Sequence, residues 1–147
     1  RLNLSSHQRL LTAATPFLQQ SLDGAVVFIA SRNVPAPGPG ASAYSVAKAG
    51  LTQLARVASL ELGSYGVRVN VLHPDCVYDT GLWSDDVLEG RAEKYGMSVE
   101  AYKSRNILKK EVTSREVAEM VAAVAGPVFL KTTGAQIPID GGNDRVI

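Results

Sequence analysis

Residues 25–72 read AVVFIASRNVPAPGPGASAYSVAKAGLTQLARVASLELGSYGVRVNVL, and this stretch decides the fold. It opens on a short apolar run, Ala25 to Ala30, with no polar alternation. That is the pattern of a strand buried on both faces. Ser31 to Ser42 follows with three prolines and two glycines and reads as a loop. Ala43 to Leu62 is rich in Ala and Leu, as a helix requires, and Gly63 or Gly66 can end it. Val67 to Leu72 is a second β-branched strand, stopped by His73-Pro74. Upstream, Leu4, Leu10, Leu11, Ala14, Phe17 and Leu18 recur at helical spacing, which predicts a helix from Leu4 to Gln20, and Asp23-Gly24 turns the chain. Downstream, Asp75 to Trp83 is loop, and the charged segment Asp85 to Lys110 is helical in pieces. Ser114 is the expected N-cap of a helix through Ala125, and Gln136 to Ile139 is a last short strand. Strands separated by helices imply right-handed crossovers and an α/β fold, about three parallel strands with flanking helices. Ligands in such sheets sit beyond the carboxyl ends of the strands. The loops after Ala30, Leu72 and Ile139 are therefore where function is expected.

The chain has 147 residues, which fits one domain, and its 46% hydrophobic content suffices for a core. Fifteen Lys and Arg against fourteen Asp and Glu leave a net charge of +1, without a basic run. No nucleic-acid or membrane partner is expected from that balance. No apolar run approaches the length of a bilayer span. One cysteine, Cys76, excludes an internal disulfide and points to a reducing compartment. No charged-then-apolar leader follows Arg1, so the expected location is cytoplasmic. Cys76 has no His or second Cys beside it, so neither a nucleophile nor a metal site is expected there.

The chemistry lies in Tyr44-Ser-Val-Ala-Lys48, which opens the long helix. Positions i and i+4 share a helical face, so phenol and ammonium point the same way. A free phenol titrates at about pH 10, and a neighbouring cation favours its phenolate. Ser31, at the carboxyl end of the first strand, can hydrogen-bond a substrate oxygen beside Tyr44. A bare Tyr-x-x-x-Lys occurs by chance in many helices. Here it follows a buried strand ending in Ser and a Pro/Gly loop.

This order resembles the short-chain dehydrogenase/reductase family. The residues that carry the resemblance are Phe28-Ile-Ala-Ser31, Ala43-Tyr44-Ser-Val-Ala-Lys48-Ala-Gly50, Glu61-Leu-Gly63, Gly66-Val-Arg-Val-Asn70-Val-Leu-His-Pro74 and Thr133-Gly134-Ala-Gln-Ile-Pro-Ile-Asp140-Gly141-Gly142. The resemblance implies a Rossmann-like, doubly wound sheet and an oxidoreductase that uses NAD, with NADP as the alternative. It implies Tyr44 as general acid/base and Lys48 as the group that tunes Tyr44 and holds the nicotinamide ribose. Ser31 would orient the substrate oxygen. Asn3 would match the family's fourth catalytic residue, and its other reading is a helix N-cap. Pro74, Val77 and Thr80 would contact the nicotinamide. The family's Pro-Gly is Pro74-Asp75 here, and one extra residue separates Val77 from Thr80. Asp75 either bonds the substrate or is a turn residue. Trp83 and Leu82 either form an apolar lid or pack against the last helix. His73 reads as a strand-end residue rather than a base.

The segments Pro74-Asp75-Cys-Val, Gly81-Leu-Trp83, Arg91-Ala-Glu-Lys-Tyr95-Gly and Leu108 to Ala118 resemble one narrower group. That group is the C-terminal dehydrogenase part of bifunctional rhamnulose-1-phosphate aldolase/short-chain dehydrogenases, which implies rhamnose metabolism and lactaldehyde as substrate. The family's glycine-rich phosphate turn is absent, and Gly38-Pro-Gly40 is no substitute. Residues 1–147 are therefore expected to be a single partial domain, the C-terminal half of its sheet. The missing N-terminal half of the same chain is an expected partner, beside a small-molecule substrate and a homo-oligomer, dimer or tetramer. Such a piece alone would be sticky and inactive. Two other readings stay open: a sugar-nucleotide epimerase or dehydratase of the same superfamily, which also uses Tyr-x-x-x-Lys, and a non-catalytic fragment.

Overall fold

The computed structural model describes residues 2–143. In chain order they form α1 (Ser5–Leu18), β1 (Ala25–Ile29), α2 (Ser42–Leu62), β2 (Arg68–Pro74), α3 (Asp85–Lys94), α4 (Val99–Lys103), α5 (Ser114–Ala125) and β3 (Gln136–Ile139). The three strands make one parallel sheet in the order β1-β2-β3. Ala25 pairs with Arg68 and Ile29 with Leu72, while Val71 pairs with Gln136 and Pro74 with Ile139. This is the Rossmann-like α/β architecture expected from the alternation of elements.

The core lies between α2 and the sheet. Lys48, Leu51, Thr52, Ala55, Ala58 and Leu62 recur every three or four residues and form the buried stripe of α2. Leu51, Ala55, Ala58 and Leu62 meet Phe28, Val69 and Val71 of the strands. The two alanines keep the helix close to the sheet. Gly50 does the same on another side of α2, because a Cβ there would come within 3.1 Å of Leu4 Cδ2. A second apolar cluster, Tyr78, Leu88, Ala92 and Tyr102, holds α3 and α4 together beside the β2 loop.

β1 departs from the expected two-sided burial: Phe28 is buried, and Ala25, Val26, Val27 and Ile29 are only partly so. β1 is the edge strand of the sheet, and an apolar groove lined by Leu10, Leu11, Ala14 and Leu18 of α1 runs along it. β2 is buried from Arg68 to His73 and extends further than the apolar run, through Pro74. Arg68 and Asn70 break the apolar pattern, yet both are buried with their terminal polar groups hydrogen-bonded. Arg68 donates to the carbonyls of Val124 and Ala125, and Asn70 donates to Thr132 O while accepting from Ala135 N–H.

The N-cap of α5 is Thr113 rather than Ser114. Its hydroxyl accepts from Glu116 N–H, and the Glu116 carboxylate accepts from Thr113 N–H at 2.8 Å, a reciprocal capping box. These bonds hold the Glu116 carboxyl below its ordinary range. Thr113→Ala is expected to lower stability by about 1 kcal/mol. A fall in the urea midpoint at unchanged slope checks this, and an unmoved midpoint refutes it.

Two glycines at the β3 end are required by their backbone. Gly134 has φ +72°, and its N–H donates to Val69 O at 2.7 Å. Gly141 has φ +62°, and a Cβ there would lie 2.5 Å from Asn106 Cγ.

Candidate active site

One cavity of about 540 Å³ opens beyond the carboxyl ends of the strands. Ser31, Tyr44, Lys48, Pro74, Asp75, Val77, Thr80 and Trp83 all line it. Eight of the nine positions singled out in the sequence are thus brought together. Asn3 is not among the lining residues; it lies in the turn before α1. Nor is it the cap, since Leu4 holds that position and no side chain caps the helix.

The first turns of α2 carry Tyr44 and Lys48. The Lys48 ammonium lies 5.8 Å from the centroid of the Tyr44 ring, within cation–π range. It donates to Ile29 O at 2.8 Å, which ties the helix to the end of β1. An ammonium has three donors, so others remain for a ligand. Burial pushes Lys48 below the ordinary lysine range. Ser31 follows β1 and is buried, with its Oγ accepting from Asn33 N–H at 3.2 Å. The Ser31 hydroxyl proton is left to donate.

The loop after β2 forms the opposite wall. Thr80 Oγ1 donates to Val77 O at 3.2 Å, and Val77 bridges Val112. Asp79 accepts from Ser114 N–H and its hydroxyl at 2.8 to 3.0 Å, which holds the Asp79 carboxyl below its ordinary range. The loop is thereby fastened to the start of α5. Trp83 meets Tyr78 edge-on at 5.0 Å, so it packs on the second cluster. Leu82 is exposed and also lines the cavity. Asp75 is not a free turn residue. Its carboxylate lies 3.7 Å from Arg32 Nε and accepts a hydrogen bond from Asn143 Nδ2.

Arg32 and Asn143 carried no signal in the sequence, since only the fold brings them to Asp75. Cys76 also lines the cavity, with a left-handed φ of 56° in the segment where the resembled pattern carries Pro-Gly. Burial, and then the Asp75 carboxylate, push its thiol up to about 11 from 9.0. At pH 8 the reactive thiolate is therefore scarcer by about a hundredfold than at an unperturbed cysteine. Iodoacetamide should label Cys76 correspondingly slowly, and a rate equal to that of a free thiol would contradict this.

Among the described residues, no helix is long and apolar enough to cross a membrane. A family model described as Enoyl-(Acyl carrier protein) reductase matches residues 1–144. The chain is 38% identical over 128 residues to the uncharacterized oxidoreductase YuxG of Bacillus subtilis, covering 84% of this chain and 19% of that protein. It is 36% identical over 124 residues to 2,3-dihydro-2,3-dihydroxybenzoate dehydrogenase of Escherichia coli, covering 82% of this chain and 49% of the enzyme. An NADPH-bound short chain oxidoreductase from Pseudomonas aeruginosa, with an atypical catalytic center, superposes with a TM-score of 0.79 at 28% identity, over 93% of this chain and 52% of that one. The chain thus spans about half the length of the latter two.

These matches correct two expectations. The narrower resemblance to the C-terminal part of bifunctional rhamnulose-1-phosphate aldolase/short-chain dehydrogenases is not upheld: the match is to a general family model, and none of these descriptions names an aldolase. The quoted loop segments are short, the longest running from Leu108 to Ala118. The expectation of a missing N-terminal half as partner is likewise not upheld by the family match, which runs along residues 1–144, nearly the whole chain. With its parallel sheet and the cavity at that sheet's carboxyl edge, the chain belongs to the short-chain dehydrogenase/reductase family.

Proposed function

We propose that the protein is an oxidoreductase moving a hydride between a nicotinamide cofactor and a small hydroxy-aldehyde, alcohol or sugar-derived carbonyl. The observation that carries this reading is the sharing of one cavity by Ser31, Tyr44 and Lys48. The residues present fit the nicotinamide and its ribose. Lys48 is buried with donors to spare, Thr80 carries a hydroxyl, and Pro74 and Val77 give an apolar wall. The cofactor is NAD, or NADP, whose reduced form the Pseudomonas relative binds.

When bound, the nicotinamide supplies or accepts the hydride. The Ser31 hydroxyl donates to the substrate oxygen and holds it beside Tyr44. The Tyr44 hydroxyl gives that oxygen a proton in reduction, or takes one in oxidation. The Lys48 ammonium, with donors to spare, would hold the ribose hydroxyls beside that exchange. Trp83 and Leu82 narrow the mouth and exclude water from the transfer. Lactaldehyde is the first substrate to assay. The test is the change in nicotinamide absorbance when the full-length protein meets cofactor and lactaldehyde or a related hydroxy-aldehyde, alcohol or sugar carbonyl. Turnover is the expected result; no turnover with any of that class overturns the reading.

A further inference from the structure

β1 ends at Ile29, but the chain stays tied to β2 for three more residues. Ala30 N–H donates to Leu72 O at 2.8 Å, and Arg32 N–H donates to Pro74 O at 3.1 Å. The return bonds of a parallel ladder cannot continue here, because proline has no N–H to give. Side chains on either side of Pro74 take over. His73 is buried, and its Nδ1 lies 2.9 Å from Ser31 O. A carbonyl only accepts, so the imidazole carries its proton on Nδ1 in this bond. On the other side, Asp75 Oδ2 lies 3.7 Å from Arg32 Nε and takes the amide of Asn143. Asp75 N–H donates in turn to Ile139 O at 3.2 Å, which adds the end of β3.

We propose that His73 and Asp75 are positioning residues for Ser31: they bracket Pro74, grip the Ser31–Arg32 segment and aim the Ser31 hydroxyl into the cavity. This rests on the reading of Ser31 as the group that orients the substrate oxygen. Asp75 then acts through Arg32 and Ser31 rather than on the substrate. His73 acts as a fixed donor, and neither residue exchanges a proton with the reacting centre. Asn143 closes the grip from the turn that follows the third strand.

The test is a double-mutant cycle on the full-length protein, with kcat and both KM values measured. His73→Ala should lower kcat about tenfold, the scale of one lost buried hydrogen bond, and leave the cofactor KM within about twofold. His73→Asn, whose amide can donate from nearly the same place as Nδ1, should restore most of that loss. In a Ser31→Ala background, His73→Ala should cost less than about twofold, because its target is gone. Asp75→Asn should show the same dependence on Ser31, and it decides the matter if His73→Ala does not fold. Equal losses in both backgrounds would mean a general structural role and overturn the proposal; so would no loss in either. Nitrogen NMR gives a readout independent of turnover, since His73 should show a slowly exchanging Nδ1–H. Its absence also overturns the grip. If Tyr44→Phe keeps full activity while that Nδ1–H is present, the proposed function has failed and the grip stands.

Discussion

Tyr44→Phe is expected to lower kcat by roughly a hundred- to ten-thousandfold while leaving substrate KM nearly unchanged, the range for a lost general acid/base. Only the hydroxyl is deleted. The ring, 39% exposed and facing the Lys48 ammonium at 5.8 Å, keeps its place in phenylalanine. Lys48 stays anchored on Ile29 O, so the cofactor-side donors are unaltered. A proton-transfer loss therefore appears in kcat, whereas a collapsed site would raise both KM values. Steady-state kinetics at saturating cofactor separate the two. Activity within about threefold of the parent would refute Tyr44 as the acid/base, since such a change is below the smallest effect of that kind.

Arg68→Met should be strongly destabilising although it lies outside the cavity. The Arg68 side chain is 7% exposed, and its guanidinium donates to Val124 O at 2.9 Å, Ala125 O at 2.8 Å and Phe129 O at 3.3 Å. It also pairs with Asp23 at 3.1 Å. Val124 and Ala125 end α5, so Arg68 supplies donors to helix-terminal carbonyls that have no intrahelical partner. Its charge also sits at the negative end of the helix dipole. Asp23 is half exposed and contributes little, because solvent screens that pair. Losing charged donors to buried carbonyls costs about 3 kcal/mol. That is a large share of a stability of roughly 5 to 15 kcal/mol. Urea unfolding should show the fall, and Arg68→Lys should recover only part of it, because one ammonium cannot reproduce the fork. A loss under about 0.5 kcal/mol would refute this role for Arg68.

Arg68 also marks the boundary between what was legible and what was not. Its place in the Arg-Val-Asn run was readable as part of a family pattern. The reason for it was not, because Val124 and Ala125 lie more than fifty residues away in sequence and only the packing of α5 on β2 brings them near. Residues 25–72 by themselves determined the parallel strands, the long helix between them and the placing of Ser31, Tyr44 and Lys48 at one end of the sheet. Those features follow from local period and from the fixed hand of the crossover. The structure decided what depends on contact across the chain. It placed Asn3 away from the cavity and gave the α5 cap to Thr113. It left β1 half-buried at the sheet's edge, and it turned Asp75 from a loop residue into the partner of Arg32 and Asn143. Such pairings carry no periodic signal, because three strand ends meet only after the sheet has formed.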